Sequence, residues 1–180
     1  MIIYRMKIIE IRRHSIRSSG GDHLNRQGVA LARTVGNGIG PFDFVATSAL
    51  PRAFETAIAM GFAVDEQNEL MNSYGGAVER EAPWPLPFIN YAEIVKQDGA
   101  AGDYAYRLMD YYNAILDRLP QTGSALIVNH GGVVELGVVA CLPEADFRAW
   151  GDSVDYCEGA RLFWEDGRFV RGEVLRVTKK

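Results

Sequence analysis

Met6-Lys7-Ile8-Ile9-Glu10-Ile11-Arg12-Arg13-His14-Ser15-Ile16-Arg17 reads as a buried strand, Met6 to Arg12, that runs out into a charged loop bearing a histidine. Ala125-Leu126-Ile127-Val128-Asn129-His130-Gly131-Gly132 reads the same way, with the strand ending at Val128. The chain has only 3 histidines, so two of them at strand exits is an informative placement. A third exit follows the strand-like run Asp43 to Ala46 and continues as Thr47-Ser48-Ala49-Leu50-Pro51-Arg52-Ala53-Phe54-Glu55-Thr56. In open α/β sheets, ligands bind beyond the carboxyl ends of the strands. Here those ends supply histidine and arginine.

Outward from these strands the pattern alternates. A helix is predicted from about Arg26 to Val35, capped by Asn25 and ended by Gly36-Asn37-Gly38. A second runs from about Pro51 to Met60; Pro51 suits its first turn, where the missing N–H would have no partner anyway. Phe62 to Asp65 is a candidate short strand. Tyr104, Leu108, Tyr111, Tyr112, Ile115 and Leu119 recur at helical spacing and predict a helix over Asp103 to Leu119 with a core-facing stripe. A helix over Gly132 to Cys141 follows the second histidine. Late strands at Ala160 to Trp164 and Phe169 to Val177 flank Asp166-Gly167, a hairpin signal. Residues 66 to 102 show no clear period and are broken by Gly75-Gly76 and Pro83-Trp84-Pro85-Leu86-Pro87. Strands alternating with helices predict an α/β fold, a three-layer αβα sandwich with a mostly parallel central sheet.

Composition narrows the function classes. A chain of 180 residues suggests one domain spanning 1–180. The net charge of −4 argues against a broad basic surface for nucleic acid. No apolar run approaches the roughly 18 residues a membrane helix needs. The amino terminus, Met1 to Glu10, is interrupted by Arg5, Lys7 and Glu10 and does not read as a leader, so a cytoplasmic enzyme is expected. Cys141 and Cys157 lack metal-ligand spacing and read as two buried thiols.

Phosphoryl transfer needs what the strand exits supply. Its catalysis is chiefly positioning and charge stabilisation. Arginine forks bond the non-bridging oxygens, and a neutral imidazole can attack phosphorus. His14 lies between Arg13 and Arg17, whose charges disfavour the imidazolium. Arg52 sits at a helix start, where the dipole already favours an anion. His130 precedes another helix and can donate to a phosphoryl oxygen.

Four segments together resemble the histidine phosphatase superfamily, which includes cofactor-dependent phosphoglycerate mutases. Arg13-His14-Ser15 is similar to its R-H-G signature, and Leu24-Asn25-Arg26-Gln27-Gly28 to its L-T-x-x-G segment. Ser48-Ala49-Leu50-Pro51-Arg52-Ala53-Phe54-Glu55-Thr56-Ala57 is similar to S-x-L-x-R-A-x-x-T-A, and His130-Gly131-Gly132 to the second histidine motif. Order and spacing agree over roughly residues 6 to 140. The resemblance implies a phosphoglycerate mutase-like fold, phosphorylation of His14, and a phosphate pocket of Arg13, Arg52 and His130. It implies no metal and no organic cofactor. Arg17, Ser15 and Gly131 become candidate substrate-binding positions; Arg17 resembles the extra phosphate-binding arginine of the acid-phosphatase branch.

The departures concern Ser15, which replaces a glycine, and the general acid. Gly131 follows His130 where the acid-phosphatase branch has its Asp. In Glu69-Leu70-Met71-Asn72-Ser73-Tyr74-Gly75-Gly76, aligning Tyr74-Gly75 with the mutase-like pattern puts Met71 where the acidic Glu belongs. Glu69, Glu79 and Glu81 are the substitutes nearby. Residues 71–102 would form an insertion over the pocket, with Tyr74, Trp84, Phe88 and Tyr91 as candidate lining or as a small satellite core. His23 reads as a surface or capping residue, and Glu55 as a helix residue that could orient Arg52 or a neighbouring strand group. The expected activity is a phosphomonoesterase acting on a small phosphorylated metabolite or a phosphoprotein. A mutase-type phosphotransferase and a non-catalytic phosphate-binding module are the alternatives, and oligomeric state stays open.

Overall fold

The apolar runs become the inner strands of one sheet. A computed structural model describes residues 6–178; Met1 to Arg5, part of the amino-terminal stretch read above, lie outside the described residues. In chain order the elements are β1 (Lys7–Arg13), α1 (Arg26–Gly36), β2 (Phe44–Thr47), α2 (Pro51–Ala59), β3 (Glu66–Gln67), a 3-10 turn (Glu69–Met71), α3 (Gly76–Glu81), α4 (Phe88–Val95), α5 (Ala100–Arg118), β4 (Ser124–Asn129), α6 (Val133–Cys141), α7 (Phe147–Trp150), β5 (Gly159–Glu165) and β6 (Arg168–Leu175). The sheet order is β3-β2-β4-β1-β5-β6. The pairings β2–β3, β2–β4 and β1–β4 are parallel, and β1–β5 and β5–β6 antiparallel. The α/β architecture and mostly parallel sheet are those expected.

Strand side chains alternate between faces, and each face finds its own helices. Ile9, Ile11, Ala125 and Ile127 pack with Leu108, Tyr112 and Ile115 of α5 and Leu136 and Val138 of α6. Val45, Leu126 and Val128 pack with Ala32 of α1 and Ala53 and Ala57 of α2. Ile127 has no exposed surface; cutting such a residue to Ala costs about 2–5 kcal/mol. Cys141 and Cys157 are buried free thiols. Among the described residues no helix is long and apolar enough to cross a membrane.

Several expectations need correction. The edge strand is Glu66–Gln67, not Phe62 to Asp65; Phe62 instead stands edge-on to Phe42 at 5.1 Å. Residues 66 to 102 are largely regular, in pieces too short to show a period. The long helix begins at Ala100, earlier than its stripe suggests. Glu81 explains the early start, because its carboxylate accepts from Ala100 N (3.2 Å) and Ala101 N (2.8 Å). The hairpin between β5 and β6 turns at Asp166 (φ 49°) and Gly167 (φ 85°), the left-handed pair that Asp-Gly favours.

Candidate active site

The parallel register of β1 and β4 sets Arg13 opposite Asn129, so the two histidines leave the sheet side by side. His14 N donates to Asn129 O at 2.8 Å, and the two imidazole centroids are 5.2 Å apart. On the other flank of β4, Ser48 leaves β2 and its N–H donates to Val128 O at 3.0 Å. Three strand exits therefore meet at one point, as their sequence positions suggested.

His14 is prepared as a base. Its Nδ1 is 2.7 Å from Ser15 O. A carbonyl only accepts, so Nδ1 carries the hydrogen and Nε2 keeps its lone pair. Burial, and then the charges of Arg13, Arg52 and Arg17, push the imidazole down to about 3. The ring is neutral at physiological pH.

His130 is tuned for donation. Its Nε2 is 2.7 Å from Ser48 Oγ, and that hydroxyl accepts from Leu50 N at 3.3 Å. The Ser48 hydroxyl can donate to Nε2, and in that tautomer the proton of His130 sits on Nδ1. Burial, then His14, then the arginines push this ring down to about 2.

Three buried nitrogens around His14 have no partner among the described residues: Arg13 Nε, Arg52 Nε and His130 Nδ1. Buried polar groups are overwhelmingly paired, and each lapse costs about 1–3 kcal/mol. Donors left waiting together call for an acceptor-rich anion. Both arginines are buried, and burial pulls each guanidinium below its ordinary value, a cost that a bound anion relieves.

The arginines are held differently. Arg52 lies in the first turn of α2; Nη1 pairs with Asp22 Oδ1 at 3.2 Å and Nη2 donates to Ser73 Oγ at 2.9 Å. Arg13 lies between the rings of Trp84 (4.4 Å) and Tyr156 (4.2 Å). Its Nη1 donates to Val154 O at 3.3 Å and is 3.6 Å from Asp155 Oδ1. Arg17 is exposed and donates to Gly21 O at 2.9 Å, while its charge still reaches His14, His130 and Arg52.

Ser15 and Gly131 do other work than expected. The Ser15 hydroxyl is fully buried and donates to Gly28 O of α1 at 2.7 Å, while its N–H donates to Thr56 Oγ1 at 2.9 Å. It turns away from the pocket because α1 runs so close that a Cβ on Gly28 would strike Ile16 O. A Cβ on Gly131 would strike the Trp84 indole, and one on Gly132 (φ 83°) the Tyr74 hydroxyl. These glycines admit side chains from residues 71–102 against the second histidine loop. Phe88 and Tyr91 are fully buried; Phe88 packs with Phe147 and Trp150.

The acid candidates fare poorly. Glu81 is occupied as the cap of α5. Glu69 and Glu79 are exposed, and among the described residues no contact ties either to the histidines or pocket arginines. Met71 is fully buried in the core. His23 is exposed; its Nδ1 lies 2.5 Å from Glu55 Oε1, whose Oε2 accepts from Leu24 N at 2.8 Å. Glu55 thus orients the loop before α1, not Arg52.

Sequence reasoning missed Glu135, whose fully buried carboxylate accepts from Gly132 N (2.6 Å) and Val154 N (2.8 Å). Burial pushes its carboxyl up. A lone Glu inside Val133-Val134-Glu135-Leu136 was the available signal. Asp22, Ser73, Asp155 and Tyr156 were also missed, and no local pattern announces them. Among the described residues no His/Cys/Asp/Glu cluster could hold a metal ion.

A family model described as histidine phosphatase superfamily, branch 1, matches residues 11–174. No curated protein matches the chain. Among solved structures, a mycobacterial glucosyl-3-phosphoglycerate phosphatase is similar at 17% identity, covering 95% of this chain and 98% of that one, with a TM-score of 0.65. Phosphoserine phosphatase from Entamoeba histolytica is similar at 15% identity, with coverage of 95% and 98% and a TM-score of 0.69. Phosphoglycerate mutase from Bacillus anthracis str. Sterne is similar at 17% identity, with coverage of 97% and 93% and a TM-score of 0.67. At these identities the likeness is one of fold.

Proposed function

The chain belongs to the histidine phosphatase superfamily, and from that premise we propose that it is a phosphomonoesterase working through a phosphohistidine on His14. The observation that carries this reading is a neutral His14 with Nε2 unprotonated, beside buried N–H groups of Arg13, Arg52 and His130 that have no partner among the described residues. The substrate's phosphoryl oxygens take those donors, with Arg17 adding charge from the rim. His14 Nε2 attacks phosphorus in line and the ester P–O bond breaks. Water then attacks the phosphohistidine, the P–N bond breaks, and its electron pair returns to Nε2. The Ser15 carbonyl holds the Nδ1 hydrogen throughout, and so supports the ring as its charge changes.

The substrate is a small phosphorylated metabolite or a phosphoprotein, and no cofactor takes part in these steps. The chain acts as one catalytic domain with residues 71–102 over the pocket; the contacts of Trp84 and Tyr74 with the Gly131-Gly132 loop support this. The test is trapping of the base-stable, acid-labile phosphohistidine after an alkaline denaturing quench, together with phosphate release from p-nitrophenyl phosphate. Wild type is expected to show both, and His14→Ala neither. Equal, slow hydrolysis by the two proteins would refute the reading. Turnover only with added bisphosphoglycerate would replace it with a mutase.

A further inference from the structure

Resting on the phosphatase reading above, we propose that Asp22 is the catalytic acid that protonates the departing oxygen. The sequence offers Glu69, Glu79 and Glu81, and the structure ties none of them to the pocket. Among the described residues, two carboxylates reach the pocket arginines. Asp155 lies 3.6 Å from Arg13 Nη1, and its Oδ1 already accepts from Tyr156 N at 2.8 Å. Asp22 Oδ1 lies 3.2 Å from Arg52 Nη1. Glu135, the remaining carboxylate that Arg13 feels, is fully buried with both oxygens engaged.

Asp22 is placed by its neighbours on both sides. Before it, Arg17 Nη1 donates to Gly21 O at 2.9 Å and Gly21 N donates to Ser18 O at 3.0 Å. After it, His23 and Leu24 are both bound by Glu55. Ser18 N donates to His23 O at 3.1 Å and Arg17 bridges Leu24, which closes the loop. The backbone is thus fixed while the Asp22 side chain is 66% exposed. A leaving-group acid needs that position, since in-line attack from buried His14 expels the alcohol toward solvent.

The Arg52 contact makes the role conditional on substrate. Without substrate, Arg52 pairs with Asp22. With a phosphoryl group bound, Arg52 turns its donors to the oxygens and releases the Asp22 carboxyl to face the ester oxygen. His14 Nε2 then forms its bond to phosphorus, the P–O bond breaks, and its electron pair takes the Asp22 proton, releasing the alcohol. In the second half the Asp22 carboxylate accepts a proton from the attacking water as the P–N bond breaks. Ester and water become alcohol and phosphate, and Asp22 ends protonated as it began.

The experiment compares wild type, Asp22→Asn and Asp22→Glu on p-nitrophenyl phosphate, whose leaving group needs no proton, and on an alkyl phosphate, whose leaving group does. Asn keeps an oxygen for Arg52, so the loop is preserved. Asp22→Asn should lose about 100-fold or more in kcat/KM on the alkyl ester, the scale of general acid catalysis, and less than about tenfold on the aryl ester. Asp22→Glu should recover part of the alkyl activity. An equal loss on both esters would make Asp22 a loop or binding residue and overturn the proposal. A gain on both would make it a competitor for Arg52 and overturn the proposal equally. If wild type released phosphate from neither ester and formed no phosphohistidine, the phosphatase reading itself would fall and this role with it.

Discussion

Acidification should unfold this protein through its two site histidines. His14 and His130 are 5% and 3% exposed and are pushed down to about 3 and about 2, chiefly by burial. In the unfolded chain both protonate near the ordinary histidine value of 6.5. Below that pH the unfolded state binds more protons than the folded state. The contribution is therefore complete above about 6.5 and is lost as pH falls toward the folded values. Each pH unit below the unfolded value costs about 1.4 kcal/mol per ring. At pH 5 the pair costs roughly 4 kcal/mol, a large share of the about 5–15 kcal/mol typical of a domain. His23 works in the opposite sense, because its contact with Glu55 raises it; its contribution is present below about 6.5 and lost as pH rises through the raised value. Urea denaturation between about pH 7.5 and 5 in a His23→Gln background removes the opposing histidine, and the Glu135 carboxyl, pushed up by burial, is common to parent and variant. His14→Asn should then reduce the pH slope of stability by about half. A variant as acid-sensitive as its parent would refute the assignment of buried, neutral rings.

The remaining predictions concern the corrected positions. Ser15→Ala removes the bond to Gly28 O and should lower stability by about 0.5–1.5 kcal/mol, while inorganic phosphate binds with unchanged affinity in a calorimetric titration. A large loss of phosphate affinity would return Ser15 to the pocket. Gly131→Ala drives a methyl into Trp84, which stacks on Arg13, so it should shift tryptophan emission and weaken phosphate binding together. An unchanged spectrum would mean that Trp84 does not lie on this loop.

What was legible follows from range. The strand exits could be read because a buried strand and its charged exit are contiguous, and because Pro51 and Asn25 mark helix starts locally. Residues 66 to 102 could not be read, because α3 buries no residue and β3 is two residues long; both are held by neighbours far along the chain. Aromatic identity does not report which way a ring points, so Phe88 and Tyr91 looked as eligible for the pocket as Trp84. The sequence around Met71 gives no sign of Asp22, which reaches Arg52 across 30 positions. Tyr156 reaches Arg13 from still farther along the chain.

The pair Arg12-Arg13 shows what pairing adds to sequence. Both side chains are buried, at 5% and 8%, and sequence treats them as near equals. Strand alternation sends them to opposite faces. Arg12 Nε bonds Glu10 Oε1 at 2.6 Å and its Nη1 donates to Cys157 O at 2.6 Å, while Glu10 is also held by Arg161 at 3.0 Å. That charge is neutralised within the protein, as a buried ion must be. Arg13 has aromatic faces on two sides and a weaker 3.6 Å approach to Asp155, and its Nε bonds nothing among the described residues. The same unbonded Nε recurs at Arg52, on a different element at a different strand exit. A buried guanidinium bonded to carboxylate through its Nε serves the fold, whereas one buried with that nitrogen unmatched is held ready for an anion that comes and goes. That test separates Arg13 and Arg52, the arginines of the proposed site, from Arg12.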